Sequence, residues 1–344
     1  MFAQPSEGPS ALAKTRIPAD DVMRAVARAF EEANTSSANA TSVARALVAA
    51  EIDGLGGHGL SRIESYTAQS RSGKVDGHAE PDIRRTRPGT LMVDAAHGFA
   101  YPAIDLAVEH LPDAAFDAGI AAASIFRSHH AGAVGHHVER LARSGLIGML
   151  FANTPKAMTP AGGRTALFGT NPIAFAAPRV ADDPIIVDLA LSEVARGKIL
   201  QAAQAGDPIP EGWARDSDGK PTADAKAALA GTLLPIGGTK GAALALMVEL
   251  LAVAVGGARF ASEAGSFFDG EGDPPGVGQL IIAIDPSAFA GRDVVLERIE
   301  DLASGFDGNG EARLPGSRKA ALRDEAVVKG VAVDEAIVKR LGLA

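Results

Sequence analysis

After Pro81 the chain alternates short apolar runs with helical periods, and this alternation constrains the fold more than any other feature of the sequence. The runs at 90–94 (TLMVD), 120–126 (IAAASIF), 146–153 (LIGMLFAN) and 185–189 (IIVDL) hold few polar residues and are short for buried helices. They read as strands covered on both faces. Helical spacing fills the gaps at about 102–118 and 134–144, and a further helix is expected from Ser192 to about Gln204. This order predicts an α/β region built on a substantial sheet. Residues 206–236, rich in Gly, Pro and Asp, are expected as an ordered surface excursion anchored by Trp213. A long Ala- and Leu-rich helix over 237–257, a strand at 281–286, a basic loop at 304–319 and a short helix near 333–341 complete the reading.

Before Pro81 the texture is helical. A helix over 18–34 places Asp20 and Asp21 in its first turn, where the dipole favours anions, and lines Val22, Val26, Ala29 and Phe30 along one side. A second helix spans about 40–53, with Val43, Leu47 and Ala50 inward. A third is expected to lead out of the glycine-rich stretch Asp53-Gly-Leu-Gly-Gly-His58-Gly-Leu-Ser-Arg62, carry Tyr66 one turn on, and stop near Gly73. On an α-helix His58 and Arg62 share one face. The imidazole can pass a proton near neutral pH, and the guanidinium can clamp a carboxylate through two parallel hydrogen bonds. The stretch therefore predicts a site for a small anion.

Composition narrows the function. The net charge of −9 leaves no general basic face for phosphates, so no nucleic-acid partner is expected. With no cysteine, disulfides, thiolate metal sites and a cysteine nucleophile are excluded together, and a cytoplasmic location is expected. Residues 1–16 carry no apolar core of a signal peptide and are expected as a loose tail. No apolar window is long enough to span a bilayer, so no membrane partner is expected.

Other polar groups sit at strand ends and glycine turns. His129 and His130 lead through Ala131, Gly132, Ala133 and Val134 to His136 and His137. Strand ends that open into a helix through small residues are where α/β proteins place ligands. Adjacent histidines point apart and no nearby carboxylate completes a ligand spacing, so no metal is expected. Phe168-Gly-Thr170-Asn171-Pro172 is a turn whose polar side chains can bond a ligand or the turn itself. Asp188 ends an apolar strand, either as a cap for the following helix or as a ligand contact. Arg196-Gly197-Lys198 and Gly237-Gly238-Thr239-Lys240-Gly241 set cations beside glycines, and N–H groups at a helix start can cradle a phosphate. The spacing is not that of a P-loop, and no Gly-x-Gly-x-x-Gly follows an early strand, so an ordinary Rossmann site is not supported.

Taken in order, the runs DGLGGHGLSRIESY, SHHAGAVGHH, FGTNPIAFAAP, VDLALSEVARGKI, GGTKGAALALMVELL and RLPGSRK resemble the malate/L-lactate dehydrogenase family of the non-Rossmann type. That family includes ureidoglycolate and sulfolactate dehydrogenases and the Δ1-piperideine-2-carboxylate/Δ1-pyrroline-2-carboxylate reductases. The resemblance covers about residues 18–330. It implies a non-Rossmann α/β fold with an N-terminal helical unit for substrate and dimer contacts (1–80), a sheet-containing cofactor domain (81–290) and a C-terminal segment packing back on the first unit (291–344). It also implies a homodimer that exchanges a hydride between NAD or NADP, with NADPH favoured, and a small carboxylate substrate. Residue by residue, His58 matches the family's proton donor or acceptor, with His130 as the other catalytic histidine. Arg62, Thr170, Arg196 and Gly197 match substrate contacts. His130 to Val134, Asp188, Leu189, Ala190, Thr239, Lys240, Arg313 and Arg318 match cofactor contacts.

Two positions depart from the imine reductases, which place a serine before the catalytic histidine and an aspartate after the Ala-x-Gly segment as a relay. Here they are Gly57 and Lys198, and Lys198 is closer to the hydroxy-acid dehydrogenases. The leading expectation is therefore a dehydrogenase of a small 2-hydroxy/2-oxo carboxylate in the malate/lactate style. The alternatives are a reductase of a cyclic 2-imino acid and a nicotinamide-binding homologue without turnover.

Overall fold

A computed structural model of the chain describes residues 14–343. The loose tail expected at the N-terminus lies outside the described residues up to position 13, but its end is ordered: Lys14–Ile17 form strand β1. Helix α1 (Ala19–Glu31) follows Pro18 and buries Val22, Val26 and Phe30. Helix α2 (Ser37–Ile52) is capped by the Ser36 hydroxyl, which accepts the Asn39 N–H at 3.3 Å. It stops where Gly54 N–H bonds Glu51 O and Leu55 N–H bonds Ala50 O, with Gly54 left-handed at φ +74°.

The continuous helix expected through His58 and Arg62 does not form. Two 3₁₀ turns, Gly56–His58 and Leu60–Arg62, are separated by Gly59 at φ −96°, ψ −139°, and α3 begins only at Ile63 (Ile63–Ser72). The break has a tertiary cause. The Glu51 carboxylate folds in and accepts the Leu60 N–H at 3.0 Å, filling the space that a Cβ on Gly59 would take.

The middle of the chain supplies β2 (Asp82–Arg87), β3 (Thr90–Asp94), α4 (Ala100–Ala118), β4 (Ile120–Ser128), α5 (Gly135–Arg143), β5 (Ile147–Ala152), β6 (Ile173–Ala177) and β7 (Ile185–Leu189). The surface excursion carries α6 (Arg196–Ala205), β8 (Ala214–Arg215), α7 (Ala225–Ala230) and β9 (Thr232–Leu233). Helix α6 starts later than expected, because the Ser192 hydroxyl bonds Val194 O and Ser192 bridges to Pro235. The helix expected over 237–257 is α8 (Thr239–Val248) followed by a π-helical stretch, Glu249–Ala254. Then come β10 (Val277–Ile284), α9 (Arg292–Ser304), α10 (Ser317–Lys329), β11 (Val331–Asp334) and α11 (Glu335–Leu341). Helix α9 was not expected, and α10 takes over the end of the expected basic loop.

Seven strands form one sheet in the order β2-β3-β4-β10-β5-β6-β7. Only β3 and β4 run parallel, joined across the face by α4; the other neighbours are antiparallel. Side chains alternate between faces. Ala121, Ala123, Ile125, Leu150, Ile281 and Ala283 pack under α4 and α5. Leu280 and Phe151 point the other way, into a core shared with α8, the π stretch and the excursion. The sheet is thus covered on both faces. A third core joins α1, α2 and α3 to Phe99, Tyr101 and β11, and β11 pairs antiparallel with β1.

Candidate active site

The turn after α2 places His58 half-buried, with its ring stacked on that of His130 at a centroid distance of 5.3 Å and 25° between planes. His58 Nδ1 is buried without a hydrogen-bond partner, which leaves Nε2 as the nitrogen open to the site. Burial first, then the charges of Arg62 and His136, lower the His58 pKa to about 4, so the ring is neutral at physiological pH. Arg62 does not share an α-helical face with His58. It reaches back instead: its Nε donates to Gly57 O at 2.7 Å, and its guanidinium lies 5.1 Å over the Phe268 ring.

His130 is buried at the end of β4, where Tyr66 OH lies 2.5 Å from its Nδ1. Burial pushes the Tyr66 pKa up, so the phenol keeps its proton. The Tyr66 contact at Nδ1 fixes the His130 ring and leaves Nε2 facing the site. Its own pKa falls well below the usual value, through burial and then the charges of Arg62, His58 and His129. The neighbouring histidines are structural. His129 Nε2 meets Gln69 Oε1 at 2.9 Å, and His137 Nε2 meets Ala131 O at 2.9 Å, which fixes the 131–134 turn. Gly132 in that turn, at φ +66°, lies against the buried Tyr101 phenol, leaving no space for a side chain.

Hydrogen bonds gather most of the expected segments. Asp188 accepts the Gly135 N–H at 2.8 Å, so it caps α5 from the neighbouring strand and not the helix that follows it. Burial pushes its carboxyl pKa up. Thr170 N–H bonds Thr154 Oγ1 at 2.9 Å, Leu191 N–H bonds Thr170 O at 2.8 Å, and Ile236 N–H bonds Leu191 O at 2.9 Å. Asp188, Leu189 and Ala190 are thus laced to Thr170 and to the start of α8, where Gly237 and Gly238 at φ +59° and +64° expose Thr239 and Lys240. The 313–319 segment joins through Ile186 N–H to Pro315 O at 3.3 Å. Arg313 and Arg318 are exposed on it. Arg196 stands apart: its guanidinium donates to Leu229 O at 3.0 Å, and it and Gly197 are exposed on α6.

Sequence reasoning passed over a buried ionic hub. Asp53 accepts from Arg323 Nε and Nη2, both at 2.8 Å, and from His136 Nε2 at 2.7 Å. Burial opposes ionisation of Asp53, but these bonds outweigh it and hold the carboxyl far below its usual range. Arg323 also bonds Glu139 at 2.6 and 2.9 Å. Lys319 Nζ, buried without a hydrogen bond, lies 3.7 Å from Asp53. A cavity of about 250 Å³ between β7 and α10 is lined by Ile185, Ile186, Gly316, Lys319 and Arg323. The only advance sign was Asp53 heading the glycine turn; Glu139 and Arg323 gave none.

The donors present suit a phosphate-bearing dinucleotide. The start of α8 offers backbone N–H groups beside Lys240, and the buried Lys319 Nζ, 3.7 Å from Asp53, makes no hydrogen bond among the described residues. The profile of the family described as malate/L-lactate dehydrogenase matches residues 17–342. The chain is 49% identical over 313 residues to the (2R)-3-sulfolactate dehydrogenase (NADP(+)) of Chromohalobacter salexigens, covering 91% of this chain and 93% of that one. It is 42% identical over 332 residues to the Delta(1)-pyrroline-2-carboxylate/Delta(1)-piperideine-2-carboxylate reductase of Pseudomonas putida, covering 95% and 96%. The crystal structure of delta1-piperideine-2-carboxylate reductase from Pseudomonas syringae superposes with a TM-score of 0.91 at 38% identity, over 96% of this chain and all of that one. The chain belongs to the malate/L-lactate dehydrogenase family.

Proposed function

We propose that the protein is an NADP-dependent dehydrogenase of a small 2-hydroxy/2-oxo carboxylate, with a 3-sulfolactate-like acid as the leading substrate class. The observation that carries this reading is the His58 ring, four positions before Arg62, stacked on a His130 that Tyr66 holds at Nδ1. The higher identity to the sulfolactate dehydrogenase supports it over imine reduction. Bound NADP would supply the hydride acceptor for C2 of the hydroxy acid. The start of α8 with Thr239 and Lys240, the 131–134 turn, Asp188 to Ala190 and Lys319 would hold it, with Arg313 and Arg318 facing a 2′-phosphate.

Arg62 binds the substrate carboxylate through its two terminal nitrogens, since Nε is already engaged with Gly57 O. This fixes C2 relative to the histidines. His58 Nε2 takes the hydroxyl proton as general base, and a carboxylate on Arg62 cancels one of the charges that depress its basicity. His130 donates through Nε2 to the oxygen at C2 and stays neutral. Thr170 lines the substrate side, and Lys198 on α6 supplies a cation for a second anionic group.

A second reading, reduction of a cyclic 2-imino acid, is favoured by the 42% identity to the Pseudomonas putida reductase. The absent relay does not exclude it, because a protonated imine needs no acid. A homodimer is proposed as well, supported by the exposed Leu246, Leu250 and Val255 along α8 and its π extension and by Ile236 beside them. A cytoplasmic location accords with the absence of cysteine.

The test is NADPH and NADH oxidation against two panels, one of 2-oxo acids including 3-sulfopyruvate, the other of Δ1-pyrroline- and Δ1-piperideine-2-carboxylate. Turnover led by 3-sulfopyruvate with NADPH is expected. Turnover confined to the imines would reverse the order of the two readings, and NADPH binding without any turnover would leave only the non-catalytic homologue.

A further inference from the structure

Phe268 is 62% exposed, and a single exposed aromatic by itself means little. Its surroundings give it meaning. The Arg62 guanidinium carbon lies over the face of this ring, 5.1 Å from the centroid, while Phe267 beside it packs on His130 at 5.0 Å and on His129 at 5.2 Å. The segment carrying both rings is tied at two points, one on α3 and one just past its C-terminal cap Gly73. Gln69 Nε2 donates to Phe267 O at 2.8 Å, and the buried Lys74 donates through Nζ to Asp269 Oδ1 at 2.9 Å and Asp269 O at 3.1 Å. Gly270 then rests against the Ala68 carbonyl of the same helix. A buried lysine is costly unless fully paired, so placing one here fixes the segment firmly.

We propose that Phe268 is a positioning residue for substrate binding, acting through Arg62, and that Lys74 holds it in place. Gly57 O engages Nε, and the guanidinium carbon sits over the face of the Phe268 ring. The guanidinium is thus held at two points, and its terminal N–H groups are left for a carboxylate. The ring face attracts the cation and limits where it can swing. The inference rests on the proposed role of Arg62 as carboxylate clamp and applies equally to oxo and imino acids.

The test compares Phe268→Leu, Phe268→Tyr and Lys74→Met with the unsubstituted full chain, reading KM and kcat for the best substrate of the two panels and NADPH affinity by fluorescence. Pyruvate binding in the presence of NADP is read by calorimetry, which needs no turnover. Leucine keeps apolar bulk but loses the π face, and is expected to raise KM and the pyruvate Kd roughly fivefold to tenfold with kcat and NADPH affinity within about twofold. Tyrosine restores the unsubstituted KM, and Lys74→Met shifts it in the same direction as leucine by a smaller factor. An unchanged KM in Phe268→Leu, or a parallel fall in kcat and NADPH affinity, overturns the proposal. If neither panel is turned over, the functional reading fails, and the pyruvate Kd of Phe268→Leu still decides the role of Phe268. If neither panel is turned over and the unsubstituted chain also fails to bind pyruvate, both are overturned; turnover with unchanged KM in Phe268→Leu overturns the role of Phe268 alone.

Discussion

At the residue scale, the site divides labour between two stacked imidazoles. Both are neutral and both keep Nε2 for the substrate, but His58 lies in half-open surroundings whereas His130 is enclosed and fixed by Tyr66. The proton-transfer step should therefore belong to His58. Replacing it with Gln is expected to lower kcat by about 100-fold in steady-state assays, with NADPH binding retained. Tyr66→Phe is a subtler probe. It leaves His130 Nδ1 buried without a partner, at a cost of about 1–3 kcal/mol, and frees the ring. A kcat reduced about tenfold is expected, with the His130 ¹⁵N shifts changing from one tautomer to a mixture. Unaltered shifts in that variant would show that Tyr66 does not set the proton position. Of these residues, the sequence made His58, Arg62 and His130 visible through residue type and the ordered resemblance. The Tyr66 partnership was not visible, because positions 66 and 130 meet only in the folded chain.

At the element scale, apolar runs predicted strands well where burial on both faces left little choice, as at Ile147–Ala152 inside the sheet. They failed where a distant side chain decided the local geometry. The helix expected through His58 and Arg62 is broken by Glu51, whose carboxylate holds the Leu60 N–H, and no local pattern announces that contact. Helix α10 was hidden inside a basic stretch, yet it carries Lys319 and Arg323, which bind it to the end of α2 through Asp53. That link joins the turn carrying His58 and Arg62 to the segment proposed to hold the cofactor, so loosening one should loosen the other. In Asp53→Asn the neutral amide cannot match two charged donors, while Arg323 retains Glu139. A loss of about 2–3 kcal/mol in urea unfolding is expected, below the usual cost of breaking a fully buried pair because Arg323 is partly exposed. NADPH affinity measured by fluorescence should fall together with it. A destabilised variant that bound NADPH as tightly as before would show that α10 does not couple the two segments.

At the scale of the whole molecule, the antiparallel order of the sheet was not legible, since β10 inserts between β4 and β5 from more than a hundred residues away. That insertion brings the end of β4, with its histidines, beside the N-terminal helices, and it buries a dense set of imidazoles in the joint between the cores. The consequence is a stability that depends on pH. His137 is buried, donates through Nε2 to Ala131 O, and has a pKa of about 4, lowered mainly by burial. Unfolded, the same ring takes up a proton near pH 6.5. Between these values the unfolded state binds a proton that the native state does not, so His137 contributes stability in full above pH 6.5 and loses it as the pH falls toward 4. Glu51, Asp188 and Glu249, pushed up by burial, act with the opposite sign, so the comparison must be made within one variant pair. His137→Gln keeps an N–H for the Ala131 carbonyl and cannot titrate. Its unfolding free energy should therefore change with pH less steeply than that of the unsubstituted chain, by about 1.4 kcal/mol per pH unit between pH 5 and 6. Parallel slopes in the two proteins would mean that the native state accepts a proton at His137 as readily as the unfolded chain does, and that the joint is open to water.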